Sequence, residues 1–189
     1  MTPFASTFTF IISAGAVLLL YGVILWSIAG LCALGSHKAK AFFLRVCSGV
    51  HPFVLPIAFV VALFATVGSI IYSDVIGFDP CLLCWVQRIF LYPQVVILAV
   101  ALLRRDGSVI PYVFALSLLG ALVALYHYGG QIWFTGALPC PADGPSCAQR
   151  FFVEFGFVTI PLLSFAVFAF LSALFASSLI VVKKNSSLT

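Results

Sequence analysis

Charge is what this sequence has least of. Of its 189 residues, 9 are Lys or Arg and 5 are Asp or Glu, 7% in all, while 63% are hydrophobic. A water-soluble fold of this length needs a polar surface that so few charges cannot supply. Short alternating segments are also missing. The apolar runs are continuous, which excludes a membrane β-barrel. No basic residue precedes the first run, and that run is longer than the roughly 7–15 residues of a signal-peptide core. A true span is therefore the better account of it than a cleaved signal. The net charge of +4 lies in short clusters between the runs rather than in one patch, so no nucleic-acid partner is expected.

What is there is length of hydrocarbon. A helix needs roughly 20 apolar residues to cross a bilayer core. Five runs qualify, at about residues 4–34, 52–72, 84–103, 109–128 and 157–182. The expectation is an all-α integral membrane protein with five transmembrane helices. Positive loops stay in the cytoplasm. An N-terminus outside puts Lys38, Lys40 and Arg45, then Arg104 and Arg105, then Lys183 and Lys184, all on the cytoplasmic side. The opposite side receives Asp74, Asp79, Asp143 and Glu154, with Arg150 its one loop base. Residues 35–51 are then a cytoplasmic loop, and the C-terminus is cytoplasmic. The chain divides into an N-terminal helix with that loop (1–51), a four-helix membrane domain (52–182) and a cytoplasmic tail (183–189).

The chemistry centres on Pro80-Cys81-Leu82-Leu83-Cys84, with Asp79-Pro80 as a break before it and an apolar run after it. A Cys-x-x-Cys pair at the start of a helix is suited to redox work, because the helix N-terminus favours a thiolate. Arg88 follows Cys84 by four residues, which puts it on the same helical face one turn deeper. A cation at that depth in a membrane helix is costly and marks a functional position.

The topology sorts the six cysteines. Cys81, Cys84, Cys140 and Cys147 fall outside the cytoplasm, where disulfides persist, and Cys32 and Cys47 fall at its edge. The four outer cysteines allow three pairings, and proximity favours Cys81–Cys84 and Cys140–Cys147. Pro141, Asp143, Gly144 and Pro145 supply a turn within the second pair. That bridge read as a plain staple would contribute about 2–3 kcal/mol. A four-cysteine zinc site is conceivable, but an oxidising compartment and the nearby Arg88 argue against it, so no metal is expected. Cys32 and Cys47 read as small packing residues.

Two dithiol pairs on one membrane face point to thiol–disulfide exchange between them. Electrons reaching the membrane pair must leave it, and a lipid-soluble quinone is the natural acceptor there. Arg88 suits that acceptor, since a guanidinium stabilises the negative charge that reduction builds on its oxygens.

These residues, with His127 and Gln131 at the end of the fourth run and Pro139-Cys140 with Cys147, resemble the DsbB family of bacterial inner-membrane thiol:quinone oxidoreductases. The likeness covers residues 52–182, as a DsbB-like four-helix bundle. In the vitamin K epoxide reductase family the loop pair precedes the membrane motif; here it follows. The resemblance implies that Cys140 forms the mixed disulfide with a DsbA-like thioredoxin-fold oxidase, and that Cys147 exchanges with Cys81. It further implies that Cys84 engages the quinone (ubiquinone or menaquinone) beside Arg88, with His127 and Gln131 near its head group. The quinone link to an oxidising periplasm is a property of the family rather than of any spacing here. Two departures stand out: a fifth span in front, with no chemical role assigned, and a closely spaced loop pair. The competing accounts are a thiol reductant running in the opposite direction and a non-catalytic membrane subunit with two structural bridges.

Overall fold

The computed structural model describes residues 2–133, 138 and 145–186. Cys140 and the turn residues Pro141, Asp143 and Gly144 lie outside the described residues. Regular structure among those described is helical, apart from one antiparallel bridge between Glu154 and Val158. Among the described residues, five helical stretches are long and apolar enough to cross a membrane. In such stretches every backbone polar group is satisfied within the helix, which is what lipid demands.

Helix α1 (Pro3–Gly35) begins at Thr2, whose hydroxyl accepts from the Ala5 amide at 3.2 Å, with Pro3 in the first turn. Its buried positions include Ala5, Thr9, Ser13 and Ala16, a stripe of small side chains at helical spacing. Small residues let helix backbones approach closely where water supplies no driving force. Helix α1 packs on α6 (Ile160–Ser186) and on α2 (His37–Val50).

Helix α2 corrects one expectation. Most of residues 35–51, expected as a loop between spans, is helical: α2 covers His37–Val50. No proline falls between His37 and Val50, and the stretch is rich in Ala, Lys, Phe, Leu and Arg, most of them good helix formers. Phe43 lies against Trp26 of α1, with ring centroids 5.1 Å apart. A tight turn at His51–Phe53, carrying Pro52, leads directly into α3 (Val54–Ile70). The His51 ring meets the Ser178 hydroxyl of α6 at 2.8 Å, which ties this joint to the bundle.

Helix α3 widens into a π turn over Ile71–Val75 before the chain bends at Gly77 (φ 82°). Helix α4 (Leu82–Arg104) starts immediately after Cys81, and α5 spans Ile110–Ile132. Between α4 and α5 a buried polar pair sits in the apolar core, with Ser117 donating to Gln94 Oε1 at 2.9 Å. Helix α6 packs its buried Phe168 ring onto α5 at Gly120, where a Cβ would fall 2.4 Å from that ring. The chain's alternation gathers Cys81, the end of α5 and the start of α6 at one end of the bundle. Arg104, Arg105, Lys183 and Lys184 mark the other end.

Overpacking at such a contact typically costs about 1–3 kcal/mol. Gly120→Ala is therefore expected to lower the thermal midpoint of the detergent-solubilised protein; an unchanged midpoint would contradict the α5–α6 contact described.

Candidate redox site

Cys81 stands at the N-cap of α4 in the extended conformation usual for that position (φ −72°, ψ 174°). Cys84 falls in the first helical turn, where amide N–H groups lack intrahelical partners and favour negative charge. The two sulfurs are 3.2 Å apart. Cys81 is buried, while Cys84 is only half-buried. The hydrogen bond shared with Cys84, and next burial, push the Cys81 thiol up to about 12, with His127 pulling weakly the other way. Both causes favour the protonated form of Cys81.

Arg88 lies one turn below, as its spacing predicts. Its Nε donates to Ser69 Oγ at 3.1 Å and its NH2 to the Ser69 carbonyl at 3.0 Å. The guanidinium also lies 5.1 Å from the Trp85 ring centroid and 5.9 Å from that of Tyr92. Tyr92 in turn donates to Ser69 Oγ at 3.3 Å. These bonds use only part of a five-donor fork, so the cation is anchored without being saturated.

A cavity of about 480 Å³ opens beside this pair, and Cys84, Gln87 and Arg88 form its polar wall. Ser69, Tyr72, Asp79 and Ser164 add polar groups, and the rest of the lining is apolar, from α1, α3, α4, α6 and the aromatic Phe78 and Phe151. Those two rings stack at 4.6 Å and close the cavity on the side of the loop.

His127 and Gln131 are buried on the other side of the sulfurs, and neither lines that cavity. The His127 Nε2 is 3.0 Å from the Cys147 carbonyl and 3.8 Å from Cys81 Sγ, and its Nδ1 is 3.0 Å from Gln87 Nε2. A carbonyl only accepts, so Nε2 carries the hydrogen and Nδ1 accepts from the Gln87 amide. Gln131 Nε2 donates to the Cys147 carbonyl at 3.2 Å and to the Gln149 carbonyl at 3.0 Å. Arg150 donates to the Gln131 carbonyl. Both residues therefore grip the loop backbone. Cys81, Cys147, Leu83 and Leu138 share one buried cluster as a result.

Ligand atoms of Cys81, Cys84 and His127 lie within 4.8 Å of one another. Metal binding there would require His127 to give up one of its two ring hydrogen bonds.

Three contributors escaped the sequence reading. Gln87 carried a signal, being a polar side chain deep in an apolar helix. Gly130 carried little: a Cβ there would fall 2.2 Å from Leu138, so its lack of a side chain seats the loop on α5. Ser69 carried none, since its role depends on α3 meeting α4.

A helical membrane bundle with a dithiol capping one helix, a cation one turn below it and a third cysteine clamped beside it defines a membrane disulfide-exchange protein. The chain belongs to the DsbB family of disulfide bond formation proteins, whose family model matches residues 51–177. It is 39% identical over 151 residues to the SPbeta prophage-derived disulfide bond formation protein B of Bacillus subtilis, covering 80% of this chain and 94% of that protein. Disulfide bond formation protein C of Bacillus subtilis is 41% identical over 113 residues, covering 59% of this chain and 81% of the relative. A probable disulfide formation protein of Metapseudomonas resinovorans is 36% identical over 145 residues, covering 74% and 96%. No solved structure matches the chain.

Alkylation follows thiolate. Brief iodoacetamide treatment of the reduced protein at pH 8, mapped by mass spectrometry, is expected to label Cys84 ahead of Cys81. Equal labelling would contradict the asymmetry.

Proposed function

We propose that this protein is a protein-dithiol:quinone oxidoreductase that reoxidises a DsbA-like thioredoxin-fold oxidase outside the cytoplasm. The observation that carries the reading is that Cys84 and Arg88 share the wall of an apolar cavity of about 480 Å³, while Cys81 clusters with Cys147 behind them. An apolar cavity of about 150 Å³ is enough for benzene, so a substituted ring fits this one with room to spare. By the positive-inside rule, the end of the bundle bearing Arg104, Arg105, Lys183 and Lys184 faces the cytoplasm. The sulfurs then face the oxidising side of a bacterial inner membrane.

One thiolate of the partner dithiol attacks Cys140 of the Cys140–Cys147 disulfide, and Cys147 leaves as thiolate. The partner's second thiolate breaks the mixed disulfide, so the partner is oxidised and Cys140 and Cys147 are reduced. The Cys147 thiolate next attacks Cys81 of the Cys81–Cys84 disulfide and Cys84 leaves as thiolate. Cys140 then displaces Cys81, and the loop disulfide re-forms. Each transfer moves two electrons and two protons. His127 donates Nε2–H to the Cys147 carbonyl and so holds that sulfur's backbone over Cys81. The same Nε2–H, 3.8 Å from Cys81 Sγ, is available to the thiolate that forms there. Arg88, Cys84 and Gln87 would hold a quinone head group, while His127 and Gln131 serve the loop on the far side of the sulfur pair. A bound quinone supplies the two-electron acceptor that returns Cys81 and Cys84 to the disulfide.

Membranes containing the full chain should reduce added quinone when supplied with the reduced partner, and Cys81→Ala or Cys84→Ala should abolish this. A hydrogen bond from a charged donor contributes about 1.5–3 kcal/mol. Arg88→Ala should accordingly raise the KM for quinone by about 10- to 100-fold while thiol exchange with the partner persists. Unchanged quinone kinetics would remove Arg88 from the site.

A further inference from the structure

We infer that α1 is the wall against which the isoprenoid chain of the quinone lies, and hence that it sets a preference for tailed over tail-less quinones. The inference rests on the quinone reading above and goes further, to residues of the first helix, which lies before the stretch matched by the family model.

Helix α1 contributes Ile11, Ile12, Gly15, Ala16 and Leu19 to the cavity. These positions share one face and run about 12 Å along the axis at 1.5 Å per residue. The opposite wall is α3, from Val60 to Gly68, and the floor is α6. The principal packing of α1 is on α6 and α2, and that of α3 is on α4 and α6. A trough is thereby left between α1 and α3, closed at one end by Cys84 and Arg88. Its lips, Ile11 at 61% exposure and Phe64 at 72%, are apolar and point toward where lipid would lie.

Each wall of this trough carries a glycine, Gly15 on α1 and Gly68 on α3. A Cβ at Gly15 or at Gly68 would meet no atom within 4 Å. At about 480 Å³ the space is some three times what holds a benzene ring. A head group at the polar end therefore leaves an apolar remainder, shaped as a strip along a membrane helix and open at the side. An isoprenoid chain attached to that head group matches the remainder in polarity, position and direction. A phospholipid offers acyl chains of the same polarity and a phosphate for the guanidinium, but no electron-accepting group for the thiol.

The test is a binding measurement on the purified full chain. Quenching of Trp85 fluorescence, whose ring lies 5.1 Å from the Arg88 guanidinium, reports occupancy of the polar end. Affinities are compared for one quinone ring bare and the same ring carrying two isoprenoid units. Gly15→Leu places a side chain in the empty strip and is compatible with the helix. It should weaken binding of the tailed quinone at least tenfold and change that of the bare ring less than twofold. Gly68→Leu, from the facing wall, should reproduce the pattern. If neither variant discriminates between the two quinones, the role of α1 is wrong while the quinone reading stands. If the unaltered protein binds neither form, the quinone reading fails and this inference with it. A phospholipid recovered by mass spectrometry in the trough, undisplaced by tailed quinone, would also overturn the assignment.

Discussion

The bundle is built around a cation held one helical turn beneath a pair of sulfurs. Placing Arg88 within a membrane helix is costly unless its donors find partners. Ser69 supplies both a carbonyl and a hydroxyl, while Trp85 and Tyr92 flank the guanidinium with their rings. That arrangement requires α3 to reach α4 at this level. The π turn just beyond Ser69 and the bend at Gly77 bring the chain round to Cys81 within a few residues. π turns recur at functional sites because they re-aim a helix without ending it.

The sulfur pair separates two environments. On one side is an apolar cavity that shares Cys84 with Arg88. On the other is a buried polar cluster, in which Gln87, His127 and Gln131 hold the backbone at Cys147 and Gln149. The two cysteines are accordingly unequal. Cys81 is buried and faces the loop, its thiol pushed upward; Cys84 is half-buried and faces the cavity. A relay that receives electrons from one side and releases them on the other needs this inequality, and burial together with the shared hydrogen bond produces it.

Much of this was legible in the residue order. Five spans could be counted because hydrocarbon length is a local property, and the grouping of basic residues at one end of the bundle follows from the same count. Cys81, Cys84 and Arg88 could be placed together because helical spacing alone determines it. Residues that act through tertiary contact were not legible. Gly130 matters because Leu138 sits on it, and Ser69 because Arg88 reaches it across a helix interface. The charged stretch that forms α2 read as a loop because its lysines signal topology more loudly than its helix formers signal structure. The first helix read as an appendage for a related reason: its apolar face looks the same whether it meets protein, lipid or ligand.

The central claim is that the dithiol at the head of α4 empties its electrons into a ring acceptor in the adjoining cavity. It is tested most directly by a single turnover without oxygen. Purified protein with Cys81 and Cys84 reduced is mixed with quinone, and remaining thiols and quinol formed are counted. The account predicts loss of the Cys81–Cys84 dithiol in step with quinol, one pair for one ring. Thiols that persist unchanged beside unreduced quinone would contradict it.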